Sequence, residues 1–160
     1  MSIIEEGLCI NRQFEIIYFD NNAKYVGYTL FGKKHGYGEI IYSDGTKYVG
    51  DWKYGNRTGY GEIVYPNKNK YCGIWLVDKF HGDGIFYFHN GDVYDGEWKN
   101  NQMNGYGVLI HKNGDFHVGS WKNNKEHGFG MKIIDNDEGG YLSGHWSCLL
   151  YTSDAADDSL

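Results

Sequence analysis

The chain has 160 residues, the size of one domain or one short repeat array, and it combines 24 glycines with 28 Phe, Trp and Tyr residues and a single proline. So much glycine beside so many rings indicates short strands and tight turns and argues against a helical protein. The formal charge is −6, or −3 without residues 147–160, and neither value gives the basic footprint of a nucleic-acid binder.

Residues 1–24 precede the first complete repeat of the chain. The stretch from Phe14 to Lys24 (FEIIYFDNNAK) resembles the later stretch from Gly38 to Lys47 (GEIIYSDGTK) with one insertion. It therefore predicts a degenerate half repeat, a single second strand that caps the array at its N-terminal end. No long apolar run occurs here or later, so we expect neither a signal peptide nor a membrane span.

A period of 23 residues governs the chain from residue 25 onward. The tryptophans follow one another at intervals of 23, 23, 23 and 25 residues; they are Trp52, Trp75, Trp98, Trp121 and Trp146. Paired glycines recur in a Gly-x-Gly motif at the same period: Gly36 and Gly38, Gly59 and Gly61, Gly82 and Gly84, Gly105 and Gly107, Gly128 and Gly130. Each unit thus reads Tyr-x-Gly-x-Trp, a short polar break, and then Gly-x-Gly with mostly apolar residues after it.

The second unit shows how the side chains distribute over the two faces of a sheet. Because side chains alternate along a strand, Tyr48 and Trp52 lie on one face of the first strand. The same alternation predicts that Gly59 and Gly61 share one face of the second strand, with Tyr60 on the opposite face. We expect the glycines to leave space across which the large rings of adjacent strands lie.

Turn signals separate the units, because an Asx-Gly pair follows the apolar run at three junctions: Asp44-Gly45, Asn90-Gly91 and Asn113-Gly114. Such pairs predict two-residue type I′ turns, in which both central residues need a positive φ. The remaining junctions have poorer turn chemistry: Asn67-Lys68 and Asn136-Asp137. We expect looser or longer turns at those two places.

The array departs from its pattern at both ends. The first full unit has Thr29 where tryptophan belongs, and the fifth opens with His117 where tyrosine belongs. The fifth unit also has a two-residue insertion within residues 135–141, and a sixth unit stops at Trp146. We therefore expect the repeat array to span residues 25–146.

Residues 147–160 share nothing with the repeat. Their run CLLYTSDAADD resembles the translation of a sequencing adapter. We expect that this tail is not native and that the natural chain continues past Trp146 with its own sequence.

These ladders resemble MORN repeats (membrane occupation and recognition nexus), whose unit is a hairpin of the form YxGxWxxGxxxGxGxxxxxxG. The resemblance covers residues 14–146 and includes the repeat length, the tryptophan, the paired glycines and the terminal turn. It implies an all-β fold, an elongated single-layer antiparallel β-sheet solenoid of stacked hairpins with a groove along one side. Ten strands with a spacing of about 4.8 Å would extend about 50 Å.

The resemblance also implies a non-enzymatic scaffold whose groove binds an extended or helical segment of a partner protein. We expect it in the cytoplasm, in association with the cytoskeleton, cilia or membranes. One alternative is an N-terminal fragment of a larger enzyme, since similar repeats precede SET-domain methyltransferases and phosphatidylinositol phosphate kinases. Another is a tether to anionic phospholipid, in which Lys53, Lys99 and Lys122 form a basic line that Leu76 interrupts.

No residue set in the sequence predicts catalysis, a cofactor or a metal site. His35, His81 and His127 share one repeat position, but two repeats span about 19 Å, far beyond the bonds that join ligands through one zinc ion. The acidic stretch of residues 135–140 lacks the length and terminal glutamate of an EF-hand loop, so we interpret it as a solvated turn. The cysteines lack metal-ligand spacing and indicate the reduced thiols of an intracellular protein: Cys9, Cys72 and Cys148.

Two sets of rings are candidates for partner binding, because exposed aromatic strips mark partner surfaces. The first set lies between the paired glycines: Tyr37, Tyr60, Tyr106 and Phe129. The second set comprises the repeat tryptophans: Trp52, Trp75, Trp98 and Trp121. We expect the first set to line the groove, with the reverse assignment of faces, intrasheet packing alone and a homodimer as alternatives.

Overall fold

The structure, a computed structural model, describes the backbone of residues 3–5, 8–134, 140–147 and 150–151 and the side chains of residues 11–133. These residues form the following strands: β1 (Ile3–Glu5), β2 (Leu8–Ile10), β3 (Gln13–Tyr18), β4 (Lys24–Leu30), β5 (Lys33–Ile41), β6 (Lys47–Lys53), β7 (Asn56–Val64), β8 (Lys70–Leu76), β9 (Lys79–Tyr87), β10 (Val93–Lys99), β11 (Gln102–Ile110), β12 (Phe116–Lys122), β13 (Lys125–Ile134), β14 (Gly140–Ser147) and β15 (Leu150–Tyr151).

One antiparallel sheet contains the thirteen strands from β3 to β15, arranged in strict chain order. Strands β1 and β2 pair with each other in a separate hairpin. Because every strand from β4 to β14 pairs with both of its chain neighbours, the repeats stack as successive hairpins, and the expected all-β antiparallel solenoid is confirmed. The described residues include no helix with the length and apolar character of a membrane span.

One face of the sheet, the buried face, carries the first tyrosine and the tryptophan of each repeat. Each tryptophan ring meets its tyrosine neighbours edge-on; the Trp75 ring centroid lies 5.1 Å from that of Tyr48 and 5.5 Å from that of Tyr71. Edge-to-face pairs at this separation are favourable. The contacts continue from Tyr25 to Trp121, so a single sheet builds a continuous aromatic core.

The polar atoms of these buried rings bond to the backbone. The Trp52 indole N–H donates to the Gly38 carbonyl oxygen at 3.1 Å, and the next three tryptophans donate to the equivalent glycines. The Tyr48 hydroxyl donates to the Asp51 carbonyl oxygen at 3.0 Å. Burial raises the pKa of Tyr48, so its hydroxyl stays protonated and available as a donor.

The second glycine of the first four Gly-x-Gly pairs makes room for a buried tyrosine. A Cβ atom added to Gly61 would lie 2.6 Å from Cε2 of Tyr48, and one added to Gly50 would lie 2.5 Å from the Gly61 Cα. No side chain fits at either position while the ring stays in place. The prediction that these glycines are spacers for rings is therefore confirmed.

The first glycine of each pair has another role, and the prediction that both glycines share a face is wrong. Gly59 has a φ of 63°, and a Cβ there would meet the carboxylate of Asp51 on the opposite face. The reason is a β-bulge: the register jumps from Gly50–Gly61 to Trp52–Arg57, so three residues of β7 stand opposite one of β6. Positive φ recurs at the equivalent glycines: Gly36, Gly82, Gly105 and Gly128.

Each hairpin within a repeat closes with a two-residue type I′ turn. The sequence predicts this turn at the junctions between repeats instead. Lys53 pairs with Asn56, so Tyr54 and Gly55 alone form the loop, and their φ values are 50° and 97°. Two successive positive φ angles characterise the type I′ turn. The same pair of angles occurs in the other hairpins: Phe31-Gly32, Val77-Asp78, Asn100-Asn101 and Asn123-Asn124.

The junctions between repeats have three-residue loops, so the type I′ prediction is wrong there. The Gly45 N–H donates to the Tyr42 carbonyl and the Tyr42 N–H to the Thr46 carbonyl, while only Gly45 in this loop has a positive φ. This pattern is a type I turn followed by one left-handed residue. The Asp44 carboxylate supports it by accepting the Thr46 backbone N–H at 2.8 Å.

The expectation of a looser turn at Asn67-Lys68 is also wrong. The Tyr65 N–H donates to the Asn69 carbonyl and the Lys68 N–H to the Tyr65 carbonyl, both at 2.9 Å, so the loop has the same length. Lys68 adopts a φ of 69°, and the Asn67 side chain accepts the Asn69 N–H at 3.0 Å. The asparagine contact therefore maintains the loop without glycine. The junction at residues 136–137 lies outside the described residues.

Candidate functional site

The structure separates the two sets of rings that are candidates for partner binding. The tryptophans are between 2% and 6% exposed: Trp52, Trp75, Trp98 and Trp121. The other set lies on the opposite face of the sheet, the exposed face, with 59–77% of each residue accessible: Tyr37, Tyr60, Tyr106 and Phe129. The tryptophans are thus core residues that a docking segment does not reach in this structure, and binding by the exposed set stays a prediction.

The four exposed rings occupy one repeat position, whose successive copies lie two strands apart along the sheet. Asp83 holds that position in the third repeat, and we call the full series the outer row: Tyr37, Tyr60, Asp83, Tyr106 and Phe129. Carboxylates anchor the bulges that present these rings, because the Tyr60 N–H donates to Asp51 at 3.1 Å and the Tyr106 N–H to Glu97 at 2.8 Å. The bulge therefore sets the position of each ring on the exposed face.

An apolar depression beside Tyr37 was missed by the sequence analysis. Phe14 and Tyr28 pack edge-on with ring centroids 5.4 Å apart, and together with Tyr37 they line a depression of about 330 Å³. Phe14 belongs to β3, the strand at the edge of the sheet. The alternation in FEIIY, which places Phe14, Ile16 and Tyr18 on one face, is the signal that predicts this surface.

Two acidic residues on the N-terminal part of the exposed face, Glu39 and Glu62, have basic partners. Lys47 lies 3.1 Å from Glu39, and Lys70 lies 2.9 Å from Glu62. The hydrogen bond from Lys70 holds the pKa of the Glu62 carboxyl below its usual range. Each of these two ion pairs is therefore neutral.

The third and fourth repeats contain three acidic residues on the exposed face that have no lysine or arginine partner among the described residues. Asp83 on β9 stands directly opposite Glu97 on β10 in the strand register, and Asp95 lies two residues before Glu97 on β10. All three are exposed. Within the part of the chain that the structure describes, none of the three forms a salt bridge with a lysine or arginine. The position that Lys47 and Lys70 occupy in the earlier repeats is Val93 here. The centre of the outer row is consequently a site of unneutralised negative charge.

The basic line expected from the sequence is exposed but discontinuous. Lys99 and Lys122 border a depression of about 490 Å³ whose lining also includes Asn104 and His127. Leu76, which is exposed, takes the equivalent place in the third repeat. Only two adjacent lysines therefore face one depression.

Five consecutive segments of the chain match the MORN repeat: residues 25–47, 48–70, 71–93, 94–116 and 117–136. The chain belongs to the MORN repeat family. Every MORN segment begins at a ring of the buried face, four times a tyrosine and finally His117. MORN repeats are typically non-catalytic interaction modules, so the chain is a repeat protein of a kind that serves protein or membrane interaction.

Comparison with curated protein sequences gives no match. Among solved structures, the TCP domain of SAS-4 (dCPAP) from Drosophila melanogaster, in complex with a proline-rich motif of Ana2 (dSTIL), is similar at 14% sequence identity and a TM-score of 0.49. The match covers 82% of this chain and 71% of that chain. At this level the similarity says nothing about the function of the MORN chain.

The described residues of the MORN array do not bring candidate metal ligands together. In the residues that the structure describes, no group of three His, Cys, Asp or Glu side chains could hold a metal ion. Burial raises the pKa of the Cys72 thiol, whose Sγ donates to Glu62 at 3.3 Å, so this cysteine is a poor nucleophile. The acidic stretch of residues 135–140 and the side chains of Cys9 and Cys148 lie outside the described residues.

The fifth MORN repeat differs from the others in its buried ring. His117 has no exposed surface and packs edge-on against Trp121 at 5.3 Å, in the place that tyrosine fills elsewhere. Its Nδ1 lies 3.8 Å from a carboxylate oxygen of Glu126. Burial lowers the pKa of His117 despite this carboxylate, so the core favours the neutral imidazole.

Proposed function

We propose that this chain is a non-enzymatic scaffold whose exposed face binds a segment of a partner protein. The observation that carries the proposal is the row of four exposed rings on a sheet whose other face is fully used for packing. Large exposed apolar surfaces are rare on monomeric proteins and mark interaction sites. The typically non-catalytic character of MORN repeats supports the absence of enzymatic activity.

The geometry of the outer row suits a long and thin partner. Tyr60 and Tyr106 project from one sheet, with Asp83 between them, at intervals of two strands or about 10 Å. Each ring offers a large contact area while the bulge holds its backbone in place, which lowers the ordering cost of binding. A partner segment laid across the strands meets several rings in sequence, and such rings dominate interface energies.

Selection of random peptides on the immobilised full chain tests this proposal. Peptides that bind are synthesised, and their dissociation constants are measured by fluorescence anisotropy for the wild type, Tyr60→Ala and Tyr106→Ala. We expect each substitution to weaken binding by about 1–2 kcal/mol, because each removes an aromatic anchor.

The matched control is Tyr54→Asn, which removes an exposed tyrosine from a hairpin tip while keeping a residue that tolerates positive φ. Its affinity should equal that of the wild type. A library that yields no binder contradicts the proposal, as do binders that lose as much affinity with Tyr54→Asn as with Tyr60→Ala.

The proposal extends to the location of the protein. A scaffold of this kind belongs in the cytoplasm, at cytoskeletal, ciliary or membrane-associated structures. Imaging of the tagged full chain in cells of its source tests this part. Diffuse signal in the wild type, unchanged by Tyr60→Ala, would contradict an association with any of these structures.

A tether to anionic phospholipid is the second candidate, and the depression between Lys99 and Lys122 favours it. Each lysine near an anionic surface contributes about 1 kcal/mol, which is weak for two residues in a chain of net charge −6. Flotation with vesicles that contain phosphatidylserine separates the candidates. Capture at physiological salt that Lys99→Gln and Lys122→Gln abolish would favour the tether over the scaffold.

A further inference from the structure

The outer row is not uniform, because its third position is an acid among rings. Asp83 lies between Tyr60 and Tyr106, and Glu97 stands directly opposite Asp83 on the next strand. Like charges directly opposite each other destabilise a sheet. Their proximity is therefore a cost to the free protein that a cation from outside would relieve.

Two other acids on the same face are neutralised by lysines of the chain itself. Glu39 and Glu62 each have a lysine within 3.1 Å, supplied by the adjoining strand. No basic residue in the described part of the chain is paired with Asp83, Asp95 or Glu97. The missing positive charge at the centre of the row thus defines what a complementary partner must supply.

The spacing of the row selects the conformation of that partner. Positions of the row are two strands apart, about 9.6 Å. An extended segment in the polyproline II conformation advances about 3.1 Å per residue with three residues per turn, so every third side chain returns to the same side after about 9.3 Å. A helix presents the same side after each turn of about 5.4 Å, so the nearest match to one interval is two turns, or about 10.8 Å, and the difference accumulates along the row. The row therefore matches an extended segment better than a helical one.

From this geometry we infer that the exposed face recognises an extended protein segment with a central lysine or arginine. Apolar or aromatic residues lie about three positions before and three positions after that base. The base pairs with Asp83 and Glu97, and its apolar neighbours contact Tyr60 and Tyr106. This inference rests on the proposed scaffold function and specifies the chemistry of its ligand.

Peptide selection on the full chain also tests this inference, with a random library about 13 residues long. Two double variants are compared with the wild type: Asp83→Asn with Glu97→Gln, and Glu39→Gln with Glu62→Gln. Both change the net charge by the same amount on the same face, and Gln at position 97 keeps the acceptor for the Tyr106 N–H. Only the first removes charges that form no ion pair with a lysine or arginine in the described part of the chain.

We expect the selected peptides to be enriched in a lysine or arginine with apolar or aromatic residues about three positions before and after it. The Asp83→Asn/Glu97→Gln variant should bind them about 10-fold more weakly, and the loss should shrink at high salt. The Glu39→Gln/Glu62→Gln variant should bind like the wild type.

The remaining outcomes separate the inference from the function on which it rests. Peptides that depend on Tyr60 and Tyr106 but contain no enriched base, and bind both double variants equally, overturn the inference and leave the scaffold intact. Binding that depends on the acids but not on the rings overturns both. A dimer in analytical ultracentrifugation that Tyr60→Ala dissociates would show that a second copy occupies the face, and this also overturns the inference.

Discussion

The two faces of the MORN sheet follow different rules. On the buried face, tyrosine, tryptophan and the spacer glycine recur with few exceptions, of which Thr29 and His117 are the described ones. On the exposed face the same repeat position changes from ring to acid and back to ring along the outer row. The buried residues must recur every 23 residues because each repeat packs against its neighbours through them. The residues of the exposed face have no such constraint. The proposed recognition of a partner therefore depends on the positions at which the repeats differ.

The largest effect that this comparison predicts concerns Trp98. Its ring packs against Tyr71 and Tyr94, and its N–H donates to the Gly84 carbonyl at 2.9 Å. Trp98→Ala should lower the free energy of unfolding by about 4 kcal/mol, because it opens a cavity in the core. Urea unfolding measures this change. Trp98→Phe keeps a ring but loses the hydrogen bond, so its free energy of unfolding should fall by less. Equal decreases in the two variants would show that ring packing is not the main contribution to stability.

The two glycines of one pair give the next largest difference. A Cβ on Gly84 would overlap the Tyr71 ring, whereas one on Gly82 would lie 3.5 Å from Ile74 at a φ of 58°. Gly84→Ala should cost about 3 kcal/mol through overpacking. Gly82→Ala should cost only the strain of a left-handed residue, about 1 kcal/mol. Equal losses in unfolding free energy would contradict the distinction between spacer and bulge glycines.

Much of the buried face could be predicted from the sequence, because the same residues pack against the neighbouring repeat in each unit and therefore recur at the repeat period. Tyr48, Trp52 and Gly61 lie on the face that strand alternation assigns to them. The bulge could not be predicted, since Gly59 and Gly61 look alike in the sequence and differ only in the register of β6 against β7. Alternation holds along a strand only until an extra residue interrupts the pairing.

The turns show the same limit. Asn-Gly and Asp-Gly favour positive φ, but they do not say whether two or three residues separate the paired strands. The type I′ turn of the third repeat consists of Val77 and Asp78, and its first residue, β-branched Val77, has no propensity for this turn. The exposed rings were identifiable, whereas the charge at Asp83 and Glu97 gained meaning only from their pairing across β9 and β10.

A smaller effect depends on pH and concerns His117. Its folded-state pKa is lowered by burial, so the unfolded chain binds a proton more readily than the folded one. The stability that the neutral ring contributes is present above about pH 6.5, the usual histidine value, and is lost as the pH falls through that value toward the lower folded-state pKa.

His117→Tyr, which restores the ring of the other repeats, should remove this dependence. Urea unfolding of both proteins between about pH 5 and pH 8 isolates the histidine term, because the other titrating groups are common to both. We expect the stability difference in favour of tyrosine to grow on acidification. A difference that stays constant with pH would contradict the buried neutral imidazole.

Backbone strain at the tip of the third repeat gives the smallest effect on stability. Val77 is a β-branched residue at a φ of 47°, while the equivalent Asn100 and Asn123 have φ values of 53° and 52°. Val77→Asn should stabilise the chain by about 1 kcal/mol, because asparagine tolerates this conformation. Differential scanning calorimetry measures the rise in melting temperature. The reverse change, Asn100→Val, should lower it, and an unchanged value in both variants would argue against strain.

The division of labour between the two faces is tested most directly by Tyr94→Phe and Tyr106→Ala in parallel. Tyr94→Phe removes the buried hydroxyl that donates to the Glu97 carbonyl at 3.2 Å, at a cost of about 1 kcal/mol in unfolding free energy. Tyr106→Ala removes an exposed ring and should change that free energy by less than about 0.5 kcal/mol. For peptides selected on the wild type, we expect full affinity in Tyr94→Phe and a loss of about 1–2 kcal/mol in Tyr106→Ala. Full affinity in Tyr106→Ala, together with weakened binding in Tyr94→Phe, would contradict the assignment of recognition to the exposed face.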